Sequence, residues 1–321
     1  MSQTSSAGRS ALLALLFALL AAPAALAQPG ALDPTLGGDG VVFHDNTGTA
    51  TAVLPLPDGR AVLAGYRVEL LDEFSSLLRY FPDGTLDPSF GGDGQVIPVF
   101  EGDFGTTAHI YDALLLPDGK ILAAGYRDFT PGPREQAFGG LAFVARFLPD
   151  GALDPTFGDG GATSFAFGVL GSEMWALALQ PDGKIVAVSR EHLVCLLPDG
   201  TPDPAFGADG IVETPTSRDS RPAGLLALPD GKIMVGVHLE GREPHAAIAR
   251  YLPDGTLDPT FGDGGVFVFP DASAGARGIV RLPDGRLLVL VTISGAYRLY
   301  QFLPDWTPDP SFGGGGRHVH L

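Results

Sequence analysis

Residues 249–262 read Ala-Arg-Tyr-Leu-Pro-Asp-Gly-Thr-Leu-Asp-Pro-Thr-Phe-Gly, and variants of this stretch recur along most of the chain. The second half of the stretch, Asp-Pro-x-(Phe/Leu)-Gly, begins at Asp33, Asp87, Asp154, Asp203, Asp258 and Asp309. Successive starts lie roughly 55 residues apart, a spacing in the range of supersecondary repeat units. Six starts bound five intervals, so the sequence predicts five repeats of one structural unit.

Each interval also holds two Pro-Asp-x turns. The first set lies at 57–59, 117–119, 181–183, 229–231 and 283–285, and the second at 82–84, 149–151, 198–200, 253–255 and 304–306. Proline presets the φ angle of the second turn position, aspartate suits the third, and glycine accepts the left-handed conformation that follows. The pattern therefore predicts tight β-hairpins with a glycine bulge.

The segments that flank the turns predict strands. Residues 113–116 and 120–124 are almost wholly apolar, and short apolar segments such as 40–43 and 94–97 follow the Asp-Pro motifs. Apolar runs without alternation indicate strands that are buried on both faces. In a β-sandwich one face of each sheet is exposed to solvent, so apolar and polar residues alternate along its strands. We predict an all-β fold, a β-propeller of five four-stranded antiparallel blades. Strands from both ends, 41–43 and 317–321, are expected to close it, because an open array would expose two apolar faces.

Segments 116–125 and 249–262 resemble the delta-60 repeat family of bacterial proteins, and the resemblance covers residues 32–321. It implies a β-propeller-like protein that is often exported, and it implies no activity and no site residue. The chain departs from the repeat pattern at Trp306, which replaces a turn glycine, and at Cys195 and Gln301, where the other repeats carry arginine. Residues 313–316 lack the usual aspartate of the glycine-rich loop.

The amino terminus has the features of a targeting segment. Arg9 precedes an apolar block at 11–20, and the small-residue triplet Ala25-Leu26-Ala27 follows. This order predicts a signal peptide over residues 1–27, cut before Gln28, rather than a membrane anchor, since the apolar run is short and contains Pro23. Residues 28–321 are then a single propeller domain, exported to the periplasm or outside the cell, with no membrane insertion after cleavage.

Composition excludes several classes of protein. The chain has 20 Lys and Arg against 37 Asp and Glu, for a net charge of −17, so no basic face exists to bind nucleic acid. Hydrophobic residues make up 45% of the chain, which excludes a disordered protein. The one cysteine, Cys195, cannot form an intrachain disulfide, and its apolar neighbours predict a buried thiol. We expect a monomer.

Most aspartates have a structural explanation, because an aspartate in a turn accepts hydrogen bonds from backbone N–H groups two residues on. The glycine-rich loops resemble a fragment of calcium-binding nonapeptides, and they contain Asp39, Asp93, Asp159, Asp209 and Asp263. Each loop supplies one carboxylate, however, whereas calcium takes about six to eight oxygen ligands. Calcium stays open as a cofactor and no other is expected. The seven histidines match no metal or catalytic motif, so no metal-ligating or catalytic residue is predicted.

Function is expected in the connections that vary between repeats. Both Pro-Asp-x turns lie on one face of an up-and-down blade, and the variable connections lie on the other, where loops on a rigid scaffold commonly bind ligands. The candidate binding residues in these connections are Arg127, Phe129, Arg134, Arg190, His192 and Arg242. We predict an exported, non-catalytic binding module or scaffold for a protein or a glycan. The alternative is an extracytoplasmic propeller enzyme, a hydrolase or quinone-dependent oxidoreductase, which the lack of an unrepeated acid–base group disfavours.

Overall fold

The computed structural model describes residues 32–42, 48–69, 72–100, 108–129, 139–167, 173–215, 222, 224–239, 245–269, 276–293 and 296–313. The chain divides into two units, Met1–Phe43 and His44–Leu321. In the first unit Asp33 starts a turn, in which its carboxylate accepts a hydrogen bond from the Thr35 backbone N–H at 2.9 Å. Val41 and Val42 lie outside any strand. The predicted signal peptide falls outside the described residues.

The second unit is all-β, and its described strands form five antiparallel sheets, which we call blades 1 to 5. Blade 1 contains β1 (Gly48–Pro55), β2 (Ala61–Glu69), β3 (Asp72–Tyr80) and β4 (Gln95–Val96). Blade 2 contains β5 (Ala108–Leu115), β6 (Ile121–Phe129), β7 (Gly139–Phe147) and β8 (Ala162–Phe165). Blade 3 contains β9 (Ala176–Leu179), β10 (Ile185–Val188), β11 (His192–Leu196) and β12 (Ile211–Glu213).

Blade 4 contains β13 (Leu225–Ala227), β14 (Ile233–Leu239), β15 (His245–Tyr251) and β16 (Val266–Val268). The described part of blade 5 contains β17 (Ala276–Arg281), β18 (Leu287–Ile293) and β19 (Ala296–Phe302). Strands follow one another in sequence order within every described sheet. The predicted all-β propeller architecture is therefore confirmed. The predicted closing strand at 317–321 falls outside the described residues.

The Pro-Asp-Gly segments form the predicted turns. In the first turn Gly59 has a φ of 85° and donates its N–H to the Leu56 carbonyl at 3.0 Å, while Asp58 accepts from the Arg60 N–H at 3.1 Å. These turns join the first strand to the second and follow the third strand, so both sets lie at the same end of the blades. We call this end the turn face and the opposite end the loop face.

Apolar clusters join consecutive blades. One cluster links blades 1 and 2 around Phe143, a second links blades 2 and 3, a third links blades 3 and 4, and a fourth links blades 4 and 5. The first strands of the blades, β1, β5, β9, β13 and β17, contact one another in succession and are the inner strands. Each blade thus has a leading face toward the preceding blade and a trailing face toward the next one.

A buried arginine stabilises the turn-face side of three of the four junctions between described blades. Arg146 donates from Nε to Asp154 Oδ2 at 2.8 Å and from Nη1 to the Pro198 carbonyl of the next blade at 2.5 Å. Its guanidinium also donates to Thr156 Oγ1 at 3.1 Å and lies 4.7 Å over the Phe157 ring. Arg79 and Arg250 occupy the equivalent positions, with Asp87 and Asp258 as their partners.

The third repeat lacks this arginine and changes its neighbours with it. Cys195 stands at the arginine position, and Ala205 stands where the other repeats carry serine or threonine. Gln180 replaces the leucine before the first turn, and its Nε2 donates to the Gly231 carbonyl of the next blade at 2.8 Å. Asp203 keeps an ion pair with Lys184 at 2.9 Å. As predicted, Cys195 is fully buried, and burial raises the pKa of its thiol to about 12.

Trp306, which replaces a turn glycine in the fifth repeat, adopts a left-handed φ of 70°. This conformation is strained for a bulky residue, and ring contacts offset the cost. The indole packs edge-on against Phe261 at 5.3 Å, and the Arg250 guanidinium lies 5.9 Å from it. In the second repeat the equivalent Gly151 leaves no room for a side chain, since a Cβ there would lie 2.9 Å from the Phe90 ring.

We expect the protein to lose stability in acid. Burial by itself would raise the pKa of Asp154, but hydrogen bonds from Thr156 and Lys120 outweigh it and hold this pKa far below its ordinary value. Hydrogen bonds from Ser311 lower the pKa of Asp309 to about 2. A carboxyl with a depressed pKa stabilises the folded state above its unfolded pKa of about 4, and that stability is lost as the pH falls toward the folded pKa.

The melting temperature should therefore fall by several degrees between about pH 5 and pH 2. Thermal melts across this range check the prediction, with Asp154→Asn as the comparison. That variant should be less stable at pH 7 and should depend less on pH. A melting temperature that stays constant down to pH 2 would contradict the prediction.

Candidate functional site

Six side chains from blades 1 to 3 meet at the loop face, beside the inner strands. We call them the loop-face cluster: Tyr66, Glu73, His109, Tyr111, Tyr126 and Trp175. They come from β2, β3, β5 and β6 and from the residue before β9. The strands bring together positions up to about a hundred residues apart in the sequence.

His109 is at the centre of the cluster. Its Nε2 lies 2.5 Å from Glu73 Oε2, and its Nδ1 lies 3.0 Å from the Tyr111 hydroxyl. The imidazole stacks on the Tyr66 ring at a centroid distance of 4.1 Å. Its side chain is 15% exposed, whereas that of Glu73 is 38% exposed. The result is a hydrogen-bonded chain of carboxylate, imidazole and phenol, with its carboxylate end open to solvent.

Aromatic stacking extends the cluster to blade 3. The Tyr111 ring stacks on the Trp175 indole with centroids 4.2 Å apart and planes 20° apart. Both rings are half-buried, so part of each faces solvent. Beyond Trp175, Glu173 pairs with Arg190 at 2.9 Å. The cluster therefore combines half-buried aromatic rings from three blades with one exposed carboxylate, that of Glu73.

Local backbone features explain why these rings fit. The pairing of β5 with β6 shifts register between Ile110 and Asp112, so Tyr111 lies at a β-bulge, a feature that redirects a side chain. A Cβ at Gly125, opposite the bulge, would lie 1.8 Å from the His109 carbonyl oxygen. A Cβ at Gly140 would lie 1.7 Å from the Tyr126 ring. Glycine is needed at both positions for the strands and rings to approach this closely.

Asp112, directly after the bulge, anchors β5 to β9. Its carboxylate accepts hydrogen bonds from the Leu177 N–H at 2.8 Å and the Ala113 N–H at 2.9 Å. Burial raises the pKa of this carboxyl, and the two hydrogen bonds partly offset that effect. The group holds the Tyr111 and Trp175 strands in register and faces the backbone rather than a ligand.

The cluster is not repeated around the blades. Counting back from the first turn, His109 and Tyr111 correspond to Thr49 and Thr51 in the first repeat. Thr51 also lies at a β-bulge, and its hydroxyl donates to the Ile110 carbonyl at 2.8 Å. Unlike Tyr111, it has no aromatic ring to stack on a neighbouring blade. From the sequence no unrepeated acid–base group was expected, whereas Glu73 and His109 form an unrepeated carboxylate–imidazole pair. The absence of a catalytic residue stays a prediction. Aligning the first strand of each repeat on its turn would have revealed the substitution.

The sequence-predicted binding residues lie apart from this cluster or at its margin. Arg127 is buried, with only 7% of its surface exposed; it donates to Ser164 Oγ at 3.1 Å and lies over the Phe100 ring. It lines a groove of about 380 Å³ together with Thr163 and Thr201. Arg127 is thus part of the packed structure of blade 2 rather than an open loop.

Two other candidates lie near blade 3. Arg190 pairs with Glu173, as described above. His192 begins β11 and stacks on Phe167 at 4.2 Å, and burial lowers the pKa of its imidazole. Phe129 ends β6, and its side chain lies outside the described atoms. Arg134 and Arg242 fall outside the described residues.

Within the described ranges, no group of three or more His, Cys, Asp or Glu side chains is arranged to hold a metal ion. In the same part of the chain, no helix is long and apolar enough to cross a membrane.

Five segments match the model of a family described as "Domain of unknown function (DUF5122) beta-propeller", at residues 56–90, 139–157, 180–206, 228–261 and 282–312. Each segment contains one Asp-Pro motif, so the matches coincide with the predicted repeats. They confirm a propeller repeat. The narrower likeness to the delta-60 repeat family stays a prediction. No curated protein matches the chain.

Solved structures resemble the chain at low sequence identity. A catalytically inactive virginiamycin B lyase from Staphylococcus aureus with quinupristin is 12% identical, over 88% of this chain and 72% of that chain, with a TM-score of 0.48. A puromycin hydrolase is 14% identical, over 88% and 40%, with a TM-score of 0.46. Chaetomium thermophilum Sqt1 bound to the N-terminus of ribosomal protein L10 is 14% identical, over 87% and 75%, with a TM-score of 0.40. Such distant likenesses carry no argument about function.

Proposed function

We propose that this chain is an exported, non-catalytic binding module that binds a glycan through its loop-face cluster. The observation that carries the proposal is the unrepeated set of aromatic and carboxylate side chains on a scaffold that is otherwise repetitive. Export rests on the signal-peptide pattern of residues 1–27. The repeats, which resemble the delta-60 family, supply the rigid frame.

The chemistry of the cluster suits a sugar. Tyrosine and tryptophan offer apolar rings with a polar atom at the edge, and binding sites combine such surfaces with a few placed polar groups. Here the stacked Tyr111 and Trp175 rings belong to the same cluster as the Glu73 carboxylate, whose side chain is 38% exposed. A pyranose ring has an apolar C–H face and hydroxyl edges, which matches this combination. The rings are already packed, so little ordering cost opposes binding.

A hydrolase is the second candidate, and one observation favours it. Glu73, His109 and Tyr111 form a continuous hydrogen-bonded chain, the order in which a carboxylate orients an imidazole that accepts a proton from a hydroxyl. The Tyr111 ring is stacked on Trp175, so its hydroxyl is held in place. These three hydrogen-bonded side chains could transfer a proton in a reaction or bind the hydroxyl groups of a ligand. Variants can separate the two roles.

We expect Trp175→Ala to weaken glycan binding about 30-fold or more, the loss typical of an aromatic hot spot of about 2 kcal/mol. An oligosaccharide array selects the probe, and titration calorimetry with the best-bound oligosaccharide measures the loss. Phe81→Ala is the matched control, since Phe81 is 37% exposed and follows β3 at the turn face. That variant should bind normally. Equal binding by Trp175→Ala and wild type would refute the proposed site.

Tyr111→Phe distinguishes the two candidates because it keeps the ring and removes the hydroxyl. A binding module should lose at most about tenfold in affinity and should leave the oligosaccharide intact in every variant. A hydrolase should cleave the sugar, and Tyr111→Phe should retain binding while it loses turnover. Product formation by wild type, measured by mass spectrometry of the sugar, would replace the first proposal with the second.

A further inference from the structure

No described residue covers the leading face of blade 1. Val53 is 63% exposed, whereas its equivalents Ala113, Leu177 and Ile279 are 3%, 4% and 7% exposed. The fourth equivalent, Leu225, is half-buried. Leu63, Leu78 and Tyr80 on the same face are only half-buried. At the equivalent positions of the other blades, side chains such as Phe147 and Tyr251 are completely or almost completely buried. These equivalents are buried because a preceding blade covers them.

The trailing face of blade 5 is likewise not covered by any residue that the structure describes. Val280 is 57% exposed, whereas its equivalents Leu54 and Ala178 are 7% and 8% exposed. The other two equivalents, Leu114 and Leu226, are half-buried. Tyr297 is 47% exposed, and Ala142, at the same repeat position, is fully buried. Leu288, Leu290 and Leu299 extend this face and are half-buried. Among the described residues, no apolar cluster joins blade 5 to blade 1.

The two faces are both apolar and are of the two kinds that pack together at the junctions within the chain. The four junctions inside the chain show that a trailing face packs against a leading face, as Leu54 of blade 1 and Ala113 of blade 2 do within one cluster. A groove of about 160 Å³ lies on the blade 1 face, lined by Leu63, Leu78 and Tyr80 among others. It can receive a protruding side chain of a trailing face. None of the residues named on either face is acidic, although the chain carries 37 Asp and Glu residues.

We propose that the trailing face of blade 5 binds the leading face of blade 1 of a second copy of this chain. The contact is heterologous, because two different surfaces meet, and it repeats the blade-to-blade junction already present four times within the chain. By analogy with Leu54 and Ala113, Val280 of one copy lies against Val53 of the next. Uncovered apolar faces of this kind commonly mark association sites. The monomer expected from the sequence, with its ring closed within one chain, is the opposing outcome.

The test uses cysteine variants of the full chain. Protein carrying Val53→Cys is mixed with protein carrying Val280→Cys and treated with a short bis-maleimide. The native thiol of Cys195 is fully buried and does not react in the folded protein. We expect a cross-linked pair of chains from the mixture and little cross-linking from either variant by itself. Val99→Cys, at a residue that is 75% exposed and outside both faces, is the matched control and should give no cross-linked pair with either variant.

Three results would overturn the proposal. Cross-linking within one chain of the double variant Val53→Cys/Val280→Cys, with none between chains, would show that the ring closes on itself. Cross-linking of one variant to itself would show a symmetric contact. A single-chain mass for wild type at all concentrations in light scattering would show no association. If the proposal holds, the mass exceeds that of one chain at high concentration, and Val280→Glu restores a single-chain mass without lowering the melting temperature.

Discussion

Replacing Arg146 with alanine is expected to lower the free energy of unfolding by about 3–5 kcal/mol, because it leaves Asp154 buried beside an empty site. The change removes the ion pair to Asp154, the bond to the Pro198 carbonyl and the contact with the Phe157 ring. Lys120 still reaches Asp154 at 3.0 Å, which places the loss toward the lower end of this range. Urea unfolding followed by fluorescence measures it.

Arg281→Ala is the matched control for this experiment, since Arg281 is exposed at the end of β17. Its free energy of unfolding should change by no more than about 0.5 kcal/mol. Arg146→Lys keeps the charge and loses the planar fork, so it should fall between wild type and Arg146→Ala. If Arg146→Ala lowers the free energy of unfolding by less than about 1 kcal/mol, the arginine does not stabilise the junction between blades 2 and 3.

Phe206→Ala is expected to destabilise the protein by about 3–5 kcal/mol, the range for deleting a fully buried phenylalanine. Phe206 is completely buried in the apolar cluster that joins blades 3 and 4. The loss combines transfer of the ring to water with the cavity that remains between two blades. The matched control is Phe81→Ala, which removes a ring that is 37% exposed and should cost about 1 kcal/mol or less. Equal urea midpoints for the two variants would contradict the assignment of Phe206 to the core.

The fold was predictable because residues that are neighbours in the sequence determine its turns. A Pro-Asp-Gly turn needs only neighbouring residues, as Asp58 and Gly59 show, and its repetition determines the number of hairpins. Burial on both strand faces follows from the unbroken apolar runs. The short strand Gln95–Val96 lies within the predicted segment 94–97. By contrast, Val41 and Val42 match that pattern and lie outside any strand.

The candidate site was not predictable in the same way because it is assembled from unlike positions. Glu73 comes from the third strand of one blade, and His109 comes from the first strand of the next. No motif spans them, since their contact depends on how two blades pack. Arginine and loop position favoured Arg127, yet the strand extends far enough to bury it. The sequence identified arginine as a residue type suited to binding. It did not show whether the Arg127 side chain is buried or faces solvent.

The changes in the third repeat limit how such a protein can diversify. Cys195 and Ala205 replace members of the arginine network, and Gln180, which replaces a neighbouring leucine, supplies a new bond to the following blade. Arg146→Cys by itself would remove the donor to Asp154 and Thr156 and leave both without that hydrogen bond. Changing the three equivalent positions together, as in the third repeat, instead replaces one set of contacts with another. The substitutions are therefore epistatic. Recombination that exchanges whole blades preserves them, while gradual drift must cross less stable intermediates, so this geometry favours evolution by duplication and shuffling of complete repeats.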